Sequence, residues 1–182
     1  MIHIVSGLPR SGTSMMMKIM DASGVPAVTD SIRKADEDNP KGYFEYEKVK
    51  QIKSDTSWLE DCDGKCVKMV SALLPYLPKN YQYSIVFMER DLNEIYVSQN
   101  KMLRHLGKKL LNTDIIDHYK RHVRLVLKWA TSQTNVVLHR VDYNKMMESS
   151  EYTQKILKKL RLRAGAINVI DHKLYRNRHG LS

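Results

Sequence analysis

Eight residues, Gly7-Leu8-Pro9-Arg10-Ser11-Gly12-Thr13-Ser14, directly follow a short apolar run, His3-Ile4-Val5. A strand, a glycine-bounded turn and a helix start are the simplest conformations for such a stretch, and together they come close to a Walker phosphate loop. The G-x-x-x-x-G spacing runs from Gly7 to Gly12, but Thr13 and Ser14 stand where lysine should follow, and the cation sits inside the loop as Arg10. Backbone N–H groups at a helix N-terminus can still hold a phosphate. The lysine that reaches the outer phosphates of a triphosphate is gone. The loop therefore points to a phosphate-bearing nucleotide bound otherwise than in an ordinary ATPase or GTPase. The plainer alternative is a glycine-rich βα turn with a surface arginine.

The 182 residues suit one domain with a real core. Hydrophobic content of 42% and charged content of 27% indicate a soluble globular chain. No apolar run approaches the length of a membrane span, so no membrane partner is expected. No leader pattern precedes the first strand, and a cytoplasmic protein is expected. Cys62 and Cys66 are spaced C-x-x-x-C without a second metal-ligand pair, and read as reduced thiols rather than a redox pair. The net charge of +10 is uneven: residues 1–98 carry 12 Lys+Arg and 14 Asp+Glu, so nearly all the excess lies beyond them. Such a basic half can attract polyanions. No helix-turn-helix, zinc-finger or RNP-type pattern accompanies it, so nucleic acid is not the expected partner.

Strands are expected at Ile2–Ser6, Val25–Thr29, Val67–Val70, Ser84–Met88, Val136–His139 and Asn168–Ile170. Helices are expected at Thr13–Ala22, Glu45–Ser57, Leu92–Leu106, Asp114–Ser132 and Glu151–Leu160, the fourth carrying the clearest apolar stripe. The polar stretch Asp30–Gly42 is long for a connection, and a basic tail, Lys173–His179, ends the chain. Strands alternating with helices predict an α/β fold: a three-layer, P-loop-type sandwich with a mainly parallel sheet between helices. Ligands of such sheets sit at the carboxyl ends of the strands. Both the 7–14 loop and Glu89-Arg90-Asp91 fall there. Met15, Met16, Met17 and Met20 read as flexible core packing. Trp58 and Trp129 could stack on adenine, but each sits in a pattern that reads as core.

Arg90 and Ser98 form a second constellation. A guanidinium after a strand and a hydroxyl little more than two helical turns into the next helix could grip one phosphate. Each alone is commonplace, because mid-helix serines usually make local bonds. Together, Pro9-Arg10-Ser11-Gly12-Thr13-Ser14 and Arg90-Asp91-Leu92-Asn93-Glu94-Ile95-Tyr96-Val97-Ser98 resemble the two signatures of the sulfotransferase family for its donor, 3′-phosphoadenosine-5′-phosphosulfate. Asn39-Pro40-Lys41-Gly42-Tyr43-Phe44-Glu45 is similar to a stretch of small bacterial members. The likeness is good over about residues 2–105 and loose beyond.

The resemblance implies sulfonate transfer to a hydroxyl or amine of a small-molecule or peptide acceptor, with 3′,5′-adenosine bisphosphate as product and no metal required. Pro9, Ser11, Gly12, Thr13 and Ser14 would bind the 5′-phosphate side, and Arg90 and Ser98 the 3′-phosphate. Arg10 would stabilise charge on the bridging oxygen and the transferring sulfonate; arginine at this place resembles the tyrosylprotein sulfotransferases. A general base would assist. Asp30 is the first candidate, since it lies just past the second expected strand, where the tyrosylprotein enzymes carry a catalytic glutamate. Asp36, Glu37 and His105 follow. Asp30 reads equally as a cap of a turn, and His105 as a helix-end histidine.

The chain departs from the family in lacking a late glycine-rich basic loop. Lys173–Arg178 could substitute, with Arg176 and Arg178 on phosphate or acceptor, against the alternative of a solvated tail. Three rival readings stay open: a nucleotide kinase or NTPase, a non-catalytic nucleotide-binding protein, and a nucleic-acid binder using the basic half.

Overall fold

The computed structural model describes residues 1–30, 32, 42 and 44–172. Asp36, Glu37, Arg176, Arg178 and the basic tail lie outside the described residues.

Four strands form the sheet: β1 (Ile2–Gly7), β2 (Cys66–Val70), β3 (Tyr83–Glu89) and β4 (Val136–Asp142), in the order β2-β1-β3-β4. Every pairing is parallel, with Gly7 opposite Val70 on one side and Met88 on the other. β1 and β3 are buried almost throughout, as central strands covered on both faces must be. Among the described residues five α-helices accompany them: α1 (Thr13–Ala22), α2 (Leu92–His105), α3 (Ile115–Ser132), α4 (Tyr143–Glu148) and α5 (Ser150–Lys159).

Two cores result. On one face Val5, Val86 and Val141 meet α1, α4 and α5, with Met16, Met17, Met20, Met146 and Met147 filling the space between. On the other, Ile4, Ile85 and Phe87 meet α3 and three short 3-10 turns, Glu47–Gln51, Ser57–Cys62 and Ser71–Tyr76. The architecture is thus an α/β layering of helices on both faces of a parallel sheet. The methionines pack as core. Trp58 is core too, edge-on to Tyr46 at 5.8 Å between ring centroids. Both thiols are buried and free, and burial pushes the Cys62 thiol up to about 11.

Several expected elements differ. Val25–Thr29 is no strand but a single bridge, Ala27 to Cys66. Pro26 lacks an N–H, so the segment lends only its carbonyl at one residue and the Val28 amide at another to the edge of β2. The helix expected at Glu45–Ser57 is instead one 3-10 turn, Glu47–Gln51, followed by a break, and the next 3-10 turn begins only at Ser57. Its buried residues, Val49 and Ile52, offer a spacing of three and no wider apolar stripe, which suits the tighter helix. Asn168–Ile170 falls largely within a 3-10 turn, Ala164–Val169. The last strand runs on to Asp142, whose carboxylate caps α4 by accepting from the Lys145 amide, and α4 itself was not foreseen.

Candidate functional site

From β1 the chain crosses to β2 on one side, and from β2 it crosses back to β3 on the other. The carboxyl ends of β1 and β3 therefore flank the topological switch point, where open α/β sheets bind ligands. The 7–14 loop leaves β1 there, and Arg90 leaves β3 beside it.

Close approach shapes the loop. A Cβ on Gly7 would stand 2.4 Å from Ser11 Oγ and 2.6 Å from the Met88 carbonyl oxygen. One on Gly12 would stand 2.3 Å from the Tyr143 ring. Gly12, at φ 94, is the N-cap of α1, and no side chain caps that helix and no acid lies in its first turn. Four amides at this end have no carbonyl within their own helix, and the dipole points its positive end outward. Thr13 and Ser14 open α1, both half-buried. Ser11 is fully buried, and its Oγ has no hydrogen-bond partner among the described residues. Pro9 is exposed on the loop's crest.

Arg10 lies in the left-handed region at φ 70. A residue with a Cβ costs roughly 1–2 kcal/mol there, and two long-range bonds hold it. Its Nε donates to Ser98 Oγ at 3.0 Å. Its carbonyl accepts from Arg90 Nη1 at 3.0 Å. Loop, β3 end and α2 are thereby joined across separations of 80 and 88 residues of sequence.

Arg90 is itself enclosed. Its Nε donates to Glu94 Oε2 at 2.9 Å, with side-chain exposures of 7% for Arg90 and 4% for Glu94. Its guanidinium lies 4.7 Å above the Tyr143 ring. Asn144 donates to the other Glu94 oxygen at 3.0 Å and accepts the Asp91 amide at 3.0 Å. Asp91 caps α2, accepting from the Asn93 and Glu94 amides. Glu94, Tyr143 and Asn144 escaped the sequence reading. An arginine four residues before a glutamate, across the start of α2, was the available signal for Glu94; nothing local announces the other two.

Of the proposed bases, Asp30 lies where a cap would. Its two oxygens accept from the Glu47 amide at 2.6 Å and the Ile32 amide at 3.0 Å. These bonds hold its carboxyl below the usual range, Glu47 contributing most. A carboxylate so engaged is a poor proton acceptor. His105 is exposed in the last turn of α2, about two turns beyond Ser98. The carboxylates nearest the end of β3 are taken: Arg140 grips Glu89 with two bonds of 2.9 Å, and Asp91 is the cap just described. Among the described residues no group of three or more His, Cys, Asp and Glu could hold a metal ion. No described helix is long and apolar enough to cross a membrane.

No family model matches the chain. No curated protein matches it. Among solved structures, the sulfotransferase domain from the curacin biosynthetic pathway is similar over 98% of this chain and 78% of its own, at 10% identity and a TM-score of 0.49. At that identity and score the likeness by itself carries no argument about this chain.

Proposed function

We propose that the chain is a sulfotransferase-like enzyme. Its donor is 3′-phosphoadenosine-5′-phosphosulfate and its acceptor a hydroxyl or amine of a small molecule or peptide. One observation carries the reading. Arg10 Nε reaches Ser98 Oγ at 3.0 Å, and Arg90 Nη1 reaches the Arg10 carbonyl at 3.0 Å. The two segments read from sequence as phosphate anchors thus share one cationic cradle at the switch point.

The residues present fit such a donor. An uncapped helix N-terminus without acid suits a 5′-phosphate. The buried, unpartnered Ser11 hydroxyl supplies a donor that lacks an acceptor. The donor would bring the activated sulfonate; everything else falls to the chain. Gly12, Thr13 and Ser14 would bind the 5′-phosphate through backbone and hydroxyl. Arg90 and Ser98 would hold the 3′-phosphate, and Arg176 lies in the tail where a further contact is proposed. Arg10 would stabilise the charge that develops on the leaving oxygen. No step requires a metal, and the engagement of Glu89 and Asp91 argues against a magnesium site of NTPase type at the end of β3.

Calorimetry without magnesium tests the reading. Micromolar binding of 3′,5′-adenosine bisphosphate, abolished in Arg90→Ala, is the expected outcome. Tight Mg²⁺-ATP binding with no bisphosphate binding would sink it in favour of a kinase or NTPase. Bisphosphate binding with no sulfonate transfer to a broad acceptor panel would favour a non-catalytic binder.

A further inference from the structure

A second polar pair sits at the same end of the sheet, one strand away. Ser71 directly follows β2, whose last residue, Val70, is paired with Gly7. Strand spacing places Ser71 within roughly 10 Å of the start of the 7–14 loop. Its Oγ lies 2.8 Å from His122 Nε2. His122 comes from the first half of α3, and α3 packs on the Ser71–Tyr76 turn and also on α2, the helix that carries Ser98. Ser71 is buried, while His122 is half-buried.

We infer that His122, oriented by Ser71, is the group that takes the acceptor's proton. The inference rests on the sulfotransferase reading proposed above. With Nε2–H donating to Ser71 Oγ, Nδ1 keeps its lone pair. His122 receives the acceptor's proton at Nδ1 as the acceptor oxygen bonds to sulfur and the bond from sulfur to the bridging phosphate oxygen breaks. The electron pair of that bond leaves on the bisphosphate. Burial lowers the affinity of this imidazole for a proton, so it is neutral and receptive near pH 7.

Its surroundings fit a base rather than an ion pair. On α3, Asp117, His118, Lys120, Arg121 and Arg124 are exposed, and Tyr119 is held neutral by burial. On the turn, Tyr76 lies under the Lys53 ammonium, 4.5 Å from its ring centroid. On α2, Glu94 is spent on Arg90, and Lys101, Arg104 and His105 are exposed. On β4, Arg140 is paired with Glu89 and Asp142 caps α4.

The test has two arms. In the first, the imidazole of His122 is titrated by NMR in the intact chain, its signal identified with His122→Gln. Adenosine bisphosphate should raise its pKa by about half a unit, because added anions favour the imidazolium. An unmoved pKa despite bisphosphate binding overturns the assignment. In the second, sulfonate transfer to substituted phenols is compared at fixed pH. His122→Gln should lose about 100-fold toward weakly acidic phenols and little toward 4-nitrophenol, which ionises without help. Bisphosphate affinity should stay within about twofold. Ser71→Ala should show the same selectivity with a smaller loss. An equal loss across the series, no loss, or a wild type that binds bisphosphate yet sulfonates no phenol overturns the inference while leaving the nucleotide reading standing. Absence of bisphosphate binding fells that reading and this inference with it.

Discussion

The two halves of the candidate site are built by different physics. The loop half is one continuous segment, Gly7–Ser14, shaped by backbone: positive φ at Arg10 and Gly12, and contacts too close for a Cβ at both glycines. The clamp half is assembled from the end of β3, the start of α2 and the start of α4, and charge holds it together: Arg90 on Glu94, with Tyr143 beneath and Asn144 behind. The loop half can fail through strain. The clamp half fails when a buried charge loses its partner, which costs more. Nature of fault and size of fault should therefore separate the two.

Arg90→Ala makes the largest expected difference. It strands the Glu94 carboxylate, which is 4% exposed, and removes the bond to the Arg10 carbonyl. Breaking one side of a buried pair costs about 3–5 kcal/mol, read as a drop in the urea midpoint. Bisphosphate binding should vanish as well. Adding Glu94→Gln should recover much of the stability and none of the binding. Recovery of both would mean that Arg90 serves the fold alone.

Gly12→Ala probes the loop half. The new methyl would meet the Tyr143 ring and force a left-handed alanine. Strain and overpacking of this kind cost about 2–3 kcal/mol. Because Tyr143 also carries Arg90, the damage should spread: Gly12→Ala and Asn144→Ala together should depart from additivity by about 0.5 kcal/mol or more. Strict additivity would show two independent halves.

Asn144→Ala alone is milder. It removes one bond to Glu94 and one to the Asp91 amide, at a cost of about 1–2 kcal/mol by denaturant titration. Since Arg90 keeps its carboxylate, bisphosphate affinity should fall far less than in Arg90→Ala. A loss of binding as deep as that of Arg90→Ala would make Asn144 a full member of the clamp rather than its backing.

The same contrast explains what could be read from the sequence. Strand, glycine turn and helix start are encoded locally in residues 2–22, so β1, the loop and α1 were legible nearly to the residue. Arg90 and Ser98 were legible because β3 and α2 are strongly patterned. Tyr143 and Asn144 were not, since their relation to Glu94 exists only after β4 lies beside β3, and α4 spans just Tyr143–Glu148, too short to show a period. The Glu45–Ser57 error has the opposite cause. A run rich in helix formers read as a helix, but with Val49 and Ile52 as its buried residues the chain settled into a 3-10 turn. Pairing of distant segments decided the clamp; burial overrode propensity in the turn.

Asp30 gives the smallest expected effect and bears on where the proton goes. It lies outside both halves, tying the end of the Val25–Thr29 segment to the Glu47–Gln51 turn. Its folded pKa is depressed, first by the Glu47 amide and then by that of Ile32. Its contribution to stability is therefore complete above its unfolded value near about 4 and is lost as pH falls through the lower, folded value. Asp30→Asn should leave the urea midpoint almost unchanged at pH 7, since asparagine caps nearly as well, and should flatten its decline as pH falls below about 4. Sulfonate transfer should survive. If transfer collapses in a folded Asp30→Asn chain while His122→Gln retains it, the proton passes through Asp30 and not through His122.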